Sequence, residues 1–252
     1  MKLYRWQFAF GLALMLVSAG LAAAKEKENE HEGQKVDSGS FGVFMGGHRV
    51  GTETFSIYQS QNGSVIESEF KTEGSAAPAA TQNSEMRLTA SGEVRRYDWR
   101  EVSPGKSQLT ILPNDQFLTQ RWTTGPQEKE GEQPYLLPPS TAILDDYFFV
   151  HREVLAWRFL SMACKQENGQ VQCPIKQRVK FSTLNPHQHS SAPGTMAALG
   201  REKVTLKGTE QELIKLELTT DSGTWYLWVN DHDQFKLMRI SIEGENTEVL
   251  RD

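Results

Sequence analysis

The sequence predicts a mainly β protein, with a large curved antiparallel sheet, a half-barrel or open barrel, wrapped around one central α-helix. Three observations predict it. Period-two alternation, punctuated by Gly and Asn turns, recurs along most of the chain. Only one stretch, STAILDDYFFVHREVLAWRFLSMAC from Ser140 to Cys164, carries apolar residues at convincing helical spacing. Its two adjoining stripes, Ile143, Tyr147, Val150, Val154 and Trp157 beside Leu144, Phe148, Leu155 and Phe159, form a face too wide to stay uncovered, so a sheet must receive it.

The chain begins MKLYRWQFAFGLALMLVSAGLAAA. Lys2 and Arg5 precede an uncharged run that ends in Ala22-Ala23-Ala24, the pattern of a cleaved secretory signal. Residues 1–24 are thus expected to be a signal peptide, and residues 25–38, charged and without period, a disordered leader. Residues 39–252 should form a single β-rich domain with its helix at about 141–162. The competing reading of the first run is an uncleaved anchor, because it nearly reaches the roughly 20 apolar residues of a span. The expected location is periplasmic or secreted, with no transmembrane segment after signal removal. That removal takes away Lys2 and Arg5 and no acid, so the formal charge moves from -5 to -7. A surface of that sign argues against nucleic acid as a partner.

The domain opens with FGVFM, a Gly46-Gly47 turn, the long strand VGTETFSIYQS, an Asn62-Gly63 turn and the return strand SVIESEFKT. GSAAPAATQNS, residues 74–84, reads as a loop. Strands EMRLTAS, GEVRRYDWREV, KSQLTIL and DQFLTQRWTT follow, joined at Ser91-Gly92, Pro104-Gly105 and Pro113-Asn114. Tyr97 and Trp99 share one face there, while Arg96, Asp98 and Arg100 lie on a solvated opposite face. GPQEKEGEQP reads as an exposed turn or flap, and Pro138-Pro139 delivers the chain to the helix. Ser140 or Thr141 would cap that helix, with Asp145 and Asp146 near the positive end of its dipole.

Cys164 and Cys173, in CKQENGQVQC, are most simply a disulfide closing a hairpin with Asn168-Gly169 at its tip. A metal site would need more thiols or imidazoles nearby, and neither a metal nor a cofactor is expected. LNPHQHSSAPGTMAALG, residues 184–200, reads as a loop of the length that forms lids or binding loops. The last fifty residues are the clearest run of strands. Ile214, Leu216 and Leu218 occupy one face there, Lys215 and Glu217 the other, and the phase slips at Leu237-Met238, predicting a bulge.

The opening FGVFMGGHRVGTETFSI and the closing TWYLWVNDHDQFKLMRISIE resemble a group of exported bacterial domains of unknown function. Such domains are similar to the curved sheet, wrapped round a helix, of the periplasmic lipoprotein carriers. The resemblance covers about a third of the chain. It implies a half-barrel with an apolar interior and brings no catalytic residue with it.

Candidate sites follow from side-chain chemistry. His187 and His189 in NPHQH have a spacing found in zinc ligand pairs, but no third or fourth ligand is identifiable, so they read as a polar surface loop. Asp231-His232-Asp233 is explained by turn chemistry. His151, with Asp145 or Asp146 a turn before it, is the one arrangement capable of acid–base work, as in a hydrolase-like envelope enzyme. No nucleophile motif accompanies it, and the sequence offers more reason to expect a non-enzymatic protein. The aromatics say more. Tyr147, Phe148, His151 and Trp157 on the helix, with Trp225 and Trp228 on strands, are expected to line a groove between helix and sheet. Such a groove would hold a lipid, an acyl chain or another hydrophobic molecule, or an envelope protein partner. A structural module of an envelope assembly is the third reading.

Overall fold

The computed structural model describes residues 33–74, 79–167 and 170–252. The signal peptide and most of the leader expected from the sequence lie outside them. The chain forms β1 (Gln34–Met45), β2 (His48–Ser60), β3 (Gly63–Thr72), β4 (Thr81–Thr89), β5 (Val94–Ser103), β6 (Gln108–Asn114), β7 (Phe117–Thr123) and β8 (Gly131–Tyr135). After β9 (Ala142–Ile143) comes helix α1 (Val150–Ala163) and a small hairpin, β10 (Lys165–Glu167) with β11 (Gln170–Gln172). The chain ends in β12 (Arg178–Asn185), β13 (Ser190–Leu206), β14 (Thr209–Thr220), β15 (Gly223–Asn230), β16 (Lys236–Ile242) and β17 (Thr247–Arg251).

All strands but the β10–β11 hairpin join one 15-stranded sheet, and its order explains its shape. The first and last strands pair, Phe41 opposite Arg251 and Val43 opposite Val249, so β1 and β17 sit mid-sheet. One meander runs outward from β1 to β8, the other from β17 back to β12, and β9 adds a short parallel pairing at that far edge. Opposite ends of the sheet are therefore joined by the short segment between Tyr135 and Ala142. Laid flat, fifteen strands at ~4.8 Å spacing span about 65 Å. Seven extended residues reach at most about 25 Å. The sheet must curve until its ends approach. Register shifts in the β1–β2, β4–β5, β13–β14 and β15–β16 pairs supply bends of the kind bulges produce.

Alternation along the strands builds the core. Phe41, Phe55, Ile57, Ile66, Met86, Tyr97, Ile111, Leu216, Leu227 and Ile240 are buried on the face that also receives Leu155, Ala156 and Phe159 of the helix. A smaller apolar cluster of Val204, Leu213 and Trp228 is separate from it. The Asn62-Gly63 turn needs its glycine, since a Cβ at Gly63 would lie 1.9 Å from the Leu88 carbonyl oxygen. Among the described residues, no helix is long and apolar enough to cross a membrane.

Several segments differ from the sequence reading. Residues 81–84 of the expected loop belong to β4, and residues 131–134 of the expected flap pair with β7 as part of β8. The helix begins at Val150, not near residue 141, because β12 recruits the preceding apolar pair into a strand. Ala142 and Ile143 pair with Thr183 and Leu184, and Leu144 N–H donates to the Leu184 carbonyl (3.0 Å). A short apolar run has no period of its own that separates buried strand from helix. Residues 184–200 are not a long loop. They complete β12, turn at residues 186–189 and run on as β13. Their prolines and small residues mimic a loop, yet Pro193 fits because pairing with β14 begins only at Thr195. β1 starts at Gln34, inside the expected leader, with Asp37 buried.

Candidate functional site

The two ends of the helix differ in chemistry. At the N-terminal end, ionisable groups are sealed into the core. Glu53 of β2 accepts from Phe149 N–H (2.7 Å), from Val150 N–H (3.3 Å) and from the Ser68 hydroxyl (2.7 Å). A carboxylate distant in sequence thus satisfies the first backbone donors of the helix, a task usually done by the residue just before it. Burial raises its pKa to about 7 against the pull of those bonds.

Asp145, one of the acids expected in the first helical turn, instead precedes the helix. Its carboxylate accepts from Tyr97 O–H (2.6 Å) and from Tyr147 N–H (2.8 Å), and His187 Nε2 lies 2.9 Å away as an ion-pair contact. Burial alone would raise the Asp145 pKa, but His187 and Tyr97 hold it below the usual carboxylate value. His187 is packed edge-on between the rings of Trp99 and Tyr147. Next to it, Gln120 Nε2 donates to the Pro186 carbonyl (2.7 Å) and lies 3.0 Å from His189 Nδ1. The NPHQH segment, read from sequence as a polar surface loop, is therefore where the β12–β13 turn meets β5 and β7 and bridges the two ends of the sheet.

His151 is buried, and neither ring nitrogen has a hydrogen-bond partner among the described residues. Burial lowers its pKa to about 4, so the ring is neutral at neutral pH. The expected His151–Asp145 pair is replaced by Asp145 with His187. Arg152 Nη1 donates to the Asp145 carbonyl (2.9 Å), and its guanidinium lies 4.1 Å from the Trp225 ring centroid. Pockets beside His151 and Arg152 measure about 30 and 20 Å³, room for a water each and too small for a substrate.

The C-terminal end of the helix borders a cleft of about 550 Å³. Trp157, Leu160, Ser161 and Cys164 present it with one helical stripe, and Val36 of β1, Phe235 and Val171 of β11 form the other apolar walls. Trp157 is fixed by donating its Nε1–H to the Phe235 carbonyl (2.8 Å). The β10–β11 wall is tied down twice. Cys164 and Cys173 form the disulfide, Cα–Cα 4.3 Å, and Arg201, paired with Asp231, reaches the Val171 carbonyl (3.4 Å).

The six residues expected in one groove are thus distributed. Trp157 lines the cleft. Phe148, His151 and Trp225 are core residues near the helix N-terminus. Tyr147 is 37% exposed and packs on Phe70 and His187. Trp228 belongs to the separate apolar cluster, with Lys215 and Arg239 over its ring. Leu160, Ser161 and Cys164 were findable, since they follow Trp157 at three, four and seven residues.

Because the disulfide anchors one wall, a Cys164→Ser/Cys173→Ser variant should lose both stability and cleft geometry. Its short loop is worth at most ~3 kcal/mol, or a Tm decrease of up to roughly 10 °C at ~2–4 °C per kcal/mol for a domain of this size. Thermal unfolding with and without reductant measures it. An unchanged Tm in the double variant would contradict the role.

No family model matches the sequence, and no curated protein does. Among solved structures, the crystal structure of a β-barrel-like protein of the domain of unknown function DUF1849 from Brucella abortus aligns with 85% of this chain and 94% of its own, at a TM-score of 0.49 and 9% sequence identity.

Proposed function

We propose that this is an exported, non-enzymatic protein whose curved sheet, wrapped around the helix, holds a hydrophobic ligand in the cleft at the helix C-terminal end. The observation that carries the reading is the cleft itself. Its volume of about 550 Å³ falls within the ~300–1,000 Å³ of small-molecule sites, and its lining by Trp157, Leu160, Val36, Phe235 and Val171 has the apolar character of such sites. The leader pattern of residues 1–24 and a disulfide support export.

A second groove of about 550 Å³ lies over β2 to β6, lined by Glu67, Glu85, Asp98 and Arg100. Three of its acids have partners on the same sheet, Glu85 with Arg87, Asp98 with Arg96 and Glu69 with Lys71, so it reads as a solvated face. The acid–base reading at His151 has no accessible imidazole to support it, and the adjoining space of about 30 Å³ is too small for a substrate.

The test is to fill the cleft without disturbing the core. Ser161 is exposed and borders the cleft, so Ser161→Trp should fold normally and bind an apolar fluorescent probe at least tenfold more weakly than wild type. Equal binding by the two proteins would overturn the assignment.

A further inference from the structure

The cleft mouth carries a charge signature that narrows the ligand. Its lining includes two lysines, Lys35 and Lys165, and no carboxylate, in a chain whose acids outnumber its bases 32 to 27. Both lysines are exposed, and neither forms an ion pair with a carboxylate among the described residues. The Lys35 ammonium rests 5.3 Å from the Tyr58 ring centroid, a contact that leaves its charge uncompensated. The other polar residues at the cleft are also neutral: Ser161 and the amides Gln34, Gln59, Gln166 and Gln234, which are able to donate hydrogen bonds to an anion.

We infer that the cleft takes a fatty acid, its chain against Trp157, Leu160, Val36 and Phe235 and its carboxylate at Lys35 and Lys165. The inference rests on the apolar-ligand reading and adds the head group. A cleft of about 550 Å³ has room for one long acyl chain. Flexible ammonium groups at the rim suit a carboxylate that stays at the water interface while the tail is buried.

Calorimetric titration of the full chain at neutral pH with dodecanoate and with dodecanol separates the two readings. The head-group inference predicts that dodecanoate binds about tenfold tighter than dodecanol. It also predicts that Lys35→Gln/Lys165→Gln removes that preference while dodecanol affinity is unchanged, and that added salt weakens only dodecanoate. Equal affinity of wild type for acid and alcohol, or an undiminished preference in the double variant, would overturn the fatty-acid assignment and leave an apolar site. Binding of neither probe would overturn both.

Discussion

Replacing Arg251 with alanine should destabilise the protein by about 3–5 kcal/mol, the cost of leaving a buried charge without its partner. Arg251, next to last in the chain, sends Nη2 to both oxygens of Asp37 (2.6 and 2.7 Å) and Nη1 to Glu153 Oε1 (3.1 Å). All three side chains are buried. The guanidinium also covers the rings of Phe41 and Phe55. One residue therefore joins β1, β17 and the helix at the place where the two meanders meet. Without it, two carboxylates face each other in the core, and Glu153 already has its pKa raised to about 8, first by burial and despite Arg251. Chemical denaturation measures the loss. Adding Glu153→Gln to Arg251→Ala should recover part of it at alkaline pH, where Glu153 would otherwise ionise beside Asp37. A loss below ~1 kcal/mol, the range of surface pairs, would contradict this account of the trio.

Glu53 should give the second large effect, in two forms. Glu53→Ala strands two helix N–H groups and the Ser68 hydroxyl in the core. At ~1–3 kcal/mol for each buried unsatisfied group, the loss should be about 3 kcal/mol or more. Glu53→Gln keeps an acceptor and removes the charge, so its effect depends on pH. The folded-state pKa of about 7 lies above the ordinary value of 4.5, so the folded form binds the proton more tightly than the unfolded form. The stability this provides is complete below about pH 4.5 and is lost as pH rises towards 7. Buried His151 has the opposite sign. Its folded pKa of about 4 gives stability that is full above pH 6.5 and lost as pH falls towards 4. Comparing wild type with Glu53→Gln cancels the His151 contribution. Relative to wild type, the variant should gain roughly 2–3 kcal/mol between pH 5 and pH 8, at ~1.4 kcal/mol per pKa unit. A constant difference across that range would mean that Glu53 is ionised throughout.

Local chemistry made much of the fold legible. The Asn62-Gly63 hairpin, the run of strands from residue 200 onward, the slip at Met238 and the Cys164–Cys173 hairpin each depend on neighbours in sequence, and each stands in the structure. The misread features depend on partners far away. Ile143 becomes strand because Leu184 is beside it, and Pro193 stays in a strand because its other edge is unpaired. Glu53 looks like any outward strand acid until Phe149 and Val150 arrive on it from across the core.

The site was harder still. Aromatic residues stand out in a sequence, and six groove candidates were chosen for their rings and an imidazole, but a ring fills a core as readily as it lines a cleft. Only Trp157 serves the cleft. The other walls come from a strand start, a turn and a disulfide hairpin, whose meeting is a product of topology.

Native mass spectrometry of the purified full chain with dodecanoate tests the central claim most directly. Wild type should carry one bound fatty-acid molecule, and Ser161→Trp should appear at its bare mass under the same conditions. Wild type at its bare mass, or equal loading of both proteins, would contradict a ligand in the cleft.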